Sequence, residues 1–172
     1  SRHPGSLYRV FVKLGYRQKA ESTKTKSKIT TITTRITNIY ESSKKDTNDA
    51  IANSIATTAN LINAKLIVSF TETGLSSRRI SKARPCCPVL SVTNRLSTVR
   101  QNGLYWGLYS QFIPTKMPGF IEEMEVIAIV YAKRLGLVPG DQIIVSGGTP
   151  TGAGKTNFMR IIQMPNNNVD LI

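Results

Sequence analysis

From about residue 47 the hydrophobic pattern is clean and alternates between two periods. Ile51, Ile55, Ala59, Leu61 and Ile62 repeat at helical spacing up to about Ala64. Thr47 or Asn48 is placed to cap that helix, and Asp49 favours its first turn. Residues 65–70 (KLIVSF) then form a short β-branched run that predicts a buried strand, and 71–77 (TETGLSS) a glycine-containing turn. Residues 78–85 predict a helix halted by Pro85, 88–93 a second buried strand, and 94–101 a second short helix. A third strand is expected over 104–114. A longer helix over 118–135 closes on Lys133, Arg134 and Gly136, where a helix carboxyl end favours cations and glycine. A Val-Pro-Gly-Asp turn leads to a fourth strand at 142–147, and 156–164 reads as a fifth.

Strands alternating with helices predict an α/β fold: a three-layer α/β/α sandwich around a five-stranded, mostly parallel sheet. The connection between the last two strands is too short for a crossover helix, so the last strand is expected antiparallel at one edge. Before residue 47 the pattern fails. Residues 1–28 show no sustained period. Ile29, Ile32, Ile36 and Ile39 have helical spacing, but the threonines between them oppose a helix. The expected organisation is a basic leader over 1–46 with one helix at 29–41, a domain over 47–166, and a tail over 167–172.

Charge changes this picture only in the leader. The chain of 172 residues carries a net +13. Residues 1–48 hold 11 Lys/Arg against 3 Asp/Glu, a net of +8, and 49–172 hold 12 against 7, a net of +5. Most of the excess therefore lies outside the folded part, without stacking aromatics or a groove-reading helix, which argues against nucleic acid as a partner. The apolar runs are too short to cross a bilayer and the amino terminus has no secretory pattern, so a soluble, cytoplasmic protein without a membrane partner is expected. Cys86 and Cys87 are adjacent and match no metal-ligand spacing. Neighbouring residues rarely meet disulfide geometry, so the pair is read as reduced thiols at the start of a buried strand, with no redox or zinc role.

Two loops carry candidate chemistry, and each follows a predicted strand, where open α/β sheets place their ligands. In Thr71-Glu72-Thr73-Gly74-Leu75-Ser76-Ser77, four hydroxyls surround a glycine at a strand-to-helix junction. Hydroxyls, free backbone N–H groups and a positive helix end are the ingredients of a phosphate cradle. An ordinary capping turn has the same composition, and the residues alone do not choose between the two. The second loop, 147–156, ends in Gly-Lys-Thr, but Thr149 stands where a P-loop needs its first glycine. A strand pattern also follows it instead of a helix. It is read as a Gly-rich connection closing over a phosphorylated ligand with Lys155. His3 is the single histidine, and no nucleophile–base set or metal cluster exists, so no bond chemistry is expected of this domain.

The stretches AKLIVSFTETGLSSRRISKARPCCPVLSVT, LYWGLYSQFIPTK, GLVPGDQIIVSGGTP and TNFMRIIQM occur in the order found in pyruvate kinases. Over 49–164 the chain resembles the C-terminal domain of that family. The resemblance implies a domain that binds a phosphorylated allosteric effector, such as fructose 1,6-bisphosphate or another sugar phosphate, and self-associates as a dimer or tetramer. It implies effector-phosphate contacts at Thr71, Glu72, Thr73, Gly74, Ser76 and Ser77, and a closing loop formed by Gly152, Ala153, Gly154 and Lys155. Leu75 stands where some members carry Arg, and Glu123 falls where certain animal members carry an effector-contacting Arg. The family's catalytic barrel motifs do not occur in residues 1–172, so no catalytic residue is assigned. Magnesium and potassium are expected only with that barrel, and no cofactor with this domain. The alternative is a stand-alone phospho-ligand-binding protein whose basic leader contacts nucleic acid or another partner.

Overall fold

The computed structural model describes residues 47–149 and 156–166. Helix α1 spans Thr47–Leu61, strand β1 Leu66–Phe70, helix α2 Leu75–Lys82 and strand β2 Val89–Thr93. Helix α3 (Leu96–Asn102), strand β3 (Leu108–Phe112), helix α4 (Ile121–Arg134), strand β4 (Gln142–Gly147) and strand β5 (Phe158–Gln163) follow. The sheet order is β3-β2-β1-β4-β5. The first four strands are parallel, and β5 pairs antiparallel with β4. This is the expected five-stranded α/β sandwich with a reversed edge strand. The helix expected over 29–41, like the rest of 1–46, lies outside the described residues.

The two faces of the sheet bury different partners because side chains alternate along each strand. Leu66, Val68 and Phe70 of β1 join Val92, Ile143 and Val145 in one cluster, closed by Met124, Ala128 and Ala132 of α4. Ile67, Val89, Leu108 and Ile144 form the other, against Ala52, Ile55 and Ala59 of α1 and Ile80 of α2. The three alanines let α1 approach the sheet closely while Ile55 supplies bulk; burying a side chain of that size stabilises the fold by about 2 kcal/mol. Leu61, assigned by periodicity to the buried face of α1, is instead 81% exposed, because two residues beyond Ala59 carry it to the opposite side of the helix from the stripe of Ala52, Ile55, Ala56 and Ala59.

Several boundaries differ from the sequence reading, each for a local reason. Helix α2 begins three residues early, at Leu75: Gly74 takes a left-handed φ of 77° and ends the turn, so Leu75-Ser76-Ser77 become the first helical turn. The expected strand over 104–114 shrinks to 108–112. Leu104 and Tyr105 donate backbone hydrogen bonds to Gln101 and Asn102, and so complete the exit from α3. Helix α4 starts at Ile121, after Pro118 and Gly119.

One feature of the second face was not anticipated. The register aligns Ser110, Ser91, Ser69 and Ser146 in a single row across β3, β2, β1 and β4. Two of them are satisfied, since Ser91 and Ser110 each accept a hydrogen bond from Asn102 Nδ2, at 3.0 and 3.1 Å. Ser69 and Ser146 are fully buried, and among the described residues their hydroxyls have no partner. An unpaired buried hydroxyl carries its desolvation penalty with no compensating bond. Ser69→Ala is therefore expected to leave stability unchanged or to raise it by up to about 1 kcal/mol. Urea denaturation checks this, and a loss above that size would show that the hydroxyl is bonded in solution.

Candidate functional site

The chain order places the topological switch between β1 and β4. After β1 the chain moves outward to β2 and β3, then returns to the other side of β1 to lay down β4. The carboxyl ends of β1 and β4 lie side by side there, the position at which sheets of this type bind their ligands. The two loops singled out in the sequence leave these ends. Leu66↔Ile143 through Ser69↔Ser146 set β1 and β4 directly side by side, so the loops start from adjacent strands.

The first loop is tied down from below. Thr71, itself buried, accepts the Gly74 N–H on its Oγ1 at 3.0 Å and so closes the turn. The Glu72 carbonyl accepts two hydroxyls, from Thr93 at the end of β2 (3.2 Å) and from Thr98 of α3 (2.7 Å). The Thr73 carbonyl accepts Arg78 Nη2 at 3.0 Å. With carbonyls 72 and 73 and the N–H of 74 all engaged, the first-turn N–H groups of α2 point out of the helix's amino end without intrahelical acceptors. That end carries the positive pole of the helix. Gly74 is required twice over: by its φ, and because a Cβ there would lie 2.6 Å from Asn102 Oδ1 and 2.9 Å from Thr98 Cγ2.

The hydroxyls of this loop fall into two sets. Ser77 is fully buried and donates to Ser91 Oγ at 3.0 Å, which couples α2 to the serine row. Thr71 serves the turn. Thr73 and Ser76 are half-buried, and Ser76 Oγ hydrogen-bonds Thr156 Oγ1. The Glu72 carboxylate pairs with Arg95 Nη2 at 3.0 Å, so the one acidic side chain of the loop is balanced at its rim. This exposed pair contributes little to stability. Its effect is on the charge an anion would meet.

The second loop is gripped at both feet. Asn157 donates its Nδ2 to the Thr149 carbonyl at 2.6 Å and accepts the Thr149 N–H on Oδ1 at 3.0 Å. Its own N–H reaches the Gly147 carbonyl at 3.0 Å. Thr156 donates its N–H to Asn48 Oδ1 at 3.3 Å, which brings the start of α1 to the same place. Gly152, Ala153, Gly154 and Lys155 lie outside the described residues. Glu123 stands in the first turn of α4, where its Oε2 accepts the Gly119 N–H at 3.2 Å.

Sequence reasoning missed the supports. The sequence assigns no role in the site to Arg95, Thr98, Asn102, Asn157 or Asn48, and marks Thr156 only as the last residue of the second loop. One signal was available: Thr98 and Asn102 are four apart, so they share a helix face where an apolar stripe would be expected. Both are buried.

An open α/β domain whose first strand hands over to a helix through a hydroxyl-rich loop at the switch point defines the class of fold. Comparison with known proteins narrows the class. The family model for the pyruvate kinase alpha/beta domain matches residues 49–162. The chain is 36% identical over 119 residues to pyruvate kinase of Lactococcus lactis, and 40% over 116 residues to that of Agrobacterium vitis. It is 35% identical over 115 residues to that of Geobacillus stearothermophilus. These alignments cover 69%, 66% and 66% of this chain but only 23%, 24% and 19% of the respective relatives, so the chain spans about a fifth of their length. The chain belongs to the pyruvate kinase family through its C-terminal alpha/beta domain. Among the described residues no helix is long and apolar enough to cross a membrane.

Proposed function

We propose that this chain supplies the effector-binding and subunit-contact part of a cytoplasmic pyruvate kinase, the enzyme that moves a phosphoryl group from phosphoenolpyruvate to ADP. The ligand is a sugar phosphate. Its phosphate sits on the amino end of α2 against Thr73, Gly74 and Ser76, and 152–155 closes over it with Lys155 as counter-charge. The observation that carries this reading is the hydrogen bond between Ser76 and Thr156. It links the floor of the phosphate loop to the foot of the closing loop, so an anion seated at one is felt at the other. Thr71 and Ser77 support the loop from within. Glu123 stands where certain animal members of the family carry an effector-contacting Arg, and a carboxylate in that place argues against fructose 1,6-bisphosphate as the ligand.

Calorimetric titration with fructose 1,6-bisphosphate, ribose 5-phosphate and AMP tests this. Binding of a sugar phosphate is expected, and Ser76→Ala should weaken it about tenfold, the loss of one hydrogen bond to a charged group. If all three compounds fail to bind, the effector reading is wrong.

The subunit-contact part rests on β5. It is one of the two edge strands of the sheet, and among the described residues it has no partner on its outer side, while Met159 and Ile161 are exposed at 38% and 46%. Apolar side chains along an unpaired edge invite a second strand. Sedimentation equilibrium is expected to show a dimer that Ile161→Lys converts to monomer; a monomeric parent chain would refute this part.

A further inference from the structure

The net +5 of residues 49–172 is unevenly divided. Residues 73–121 hold 7 Lys/Arg and no Asp/Glu, a net of +7, and the remainder holds 5 against 7, a net of −2. The acid-free stretch comprises α2, β2, α3 and β3, so the fold gathers the excess toward one edge of the sheet. Two of its cations meet acids from outside the stretch: Arg79 pairs with Asp49 and Arg95 with Glu72, each at 3.0 Å. Two others meet aromatic rings. The Arg78 guanidinium lies over Tyr105, 5.7 Å from the ring centre, and that of Arg84 over Trp106 at 5.3 Å.

The rings reach α2 because the exit from α3 is fastened along it. Tyr105 donates its N–H to the Asn102 carbonyl at 3.0 Å, and Arg78 Nη1 donates to Gln101 Oε1 at 3.1 Å. Ser81 Oγ donates to the Trp106 carbonyl at 2.6 Å. Tyr105 and Trp106 stay 43% and 44% exposed, beside Leu104 at 88%. A ring held by a guanidinium and a fastened backbone is presented with little conformational freedom left to lose on binding. Lys82 and Arg100, both exposed, extend the cationic surface along α2 and α3. Among the described residues Arg134 lies over Tyr131 in the same way, but on α4, which also carries Glu122, Glu123 and Glu125. The α2–α3 pairs instead combine stacking surface with acid-free positive charge.

We infer that this surface binds single-stranded nucleic acid, with bases stacked on Tyr105 and Trp106 and phosphates held by Arg84 and Arg100. A carboxylate-rich peptide would satisfy the guanidinium groups but leave the rings uncovered. A polynucleotide repeats an anion and a flat base at every residue, and so covers both. Planar guanidinium groups also match the oxygens of a phosphate. The surface runs along the side and past the carboxyl end of α2, away from the amino end where the sugar phosphate is proposed.

The test titrates the full chain with a twelve-residue oligothymidylate and follows Trp106. It is the single tryptophan of the chain, so its emission reports this surface and not the basic residues before 47. Saturable quenching is expected, with affinity falling as salt rises. Tyr105→Ala keeps the reporter and should weaken binding about tenfold, the loss of one stacked base. Arg84→Gln should lower the slope of log affinity against log salt by about 0.7, one phosphate contact on a single strand. Arg134→Ala, on the opposite face of the sheet, should change neither. Unaltered Trp106 emission overturns the inference, as does a Tyr105→Ala chain, folded by circular dichroism, that binds as tightly as its parent. Polyglutamate of the same charge matching the oligonucleotide in affinity and quenching also overturns it, and would make an acidic peptide the occupant.

Discussion

Gly74→Ala is expected to destabilise the domain by about 3 kcal/mol, while Gly107→Ala, also at a left-handed glycine, costs only about 1. The φ angles are alike, 77° at Gly74 and 65° at Gly107. Forcing a side chain into that region costs about 1–2 kcal/mol at either position. The surroundings differ. At Gly107 a Cβ would meet nothing within 4 Å, whereas at Gly74 it would strike Asn102 Oδ1 and Thr98 Cγ2 inside normal contact distance. Both neighbours are fixed: Thr98 by its bond to the Glu72 carbonyl, Asn102 by two serine hydroxyls. Relief must therefore come from the loop backbone, at an added cost of about 1–3 kcal/mol for overpacking. Thermal denaturation of both variants checks this, with the melting temperature of Gly74→Ala lower by about 10 °C. Equal losses in the two would mean that α3 yields freely and does not hold the loop. Since the displaced backbone is that of the proposed phosphate cradle, sugar-phosphate binding should be lost in Gly74→Ala and kept in Gly107→Ala.

The contrast between these glycines also marks how far the sequence could be read. The order of strands and helices was legible because its signals are local. Runs such as Leu66–Phe70 and Gln142–Gly147 are strongly apolar and bounded by turn residues, and the short connection before Phe158 dictates an antiparallel edge. The two loops were legible for the same reason, as glycine and hydroxyl clusters just after strands. What holds them was not. The Glu72 carbonyl is bonded by residues 21 and 26 positions away, and Ser76 by one 80 positions away. No period or local motif encodes such pairings. The serine row is a clearer case: each serine is unremarkable in its own strand, and only the register across four strands aligns them. The division of the loop hydroxyls has the same origin. Ser76 and Ser77 are equivalent as letters, but one helical step turns Ser77 into the core and leaves Ser76 toward Thr156.

Asn102 joins the two systems, and its removal is the second large effect expected. Fully buried at the end of α3, it donates to Ser91 and Ser110 while its Oδ1 lies against the Gly74 backbone. Asn102→Ala deletes two hydrogen bonds worth about 1 kcal/mol each and leaves a small cavity under the loop. Part of the loss is offset, because Ser91 keeps the hydroxyl of Ser77 and alanine favours the helical state. The net expectation is about 2–3 kcal/mol, read by urea denaturation. The informative experiment is the double variant. Asn102→Ala takes away the closer of the two atoms that a Cβ at residue 74 would strike, so Gly74→Ala should cost about 1 kcal/mol less in that background than alone. Thr98 Cγ2 remains and keeps the relief partial. Strict additivity would place the cost of Gly74→Ala in its backbone conformation alone. Sub-additivity would show that α3, through one amide, sets the shape of the loop on which the phosphate is proposed to sit.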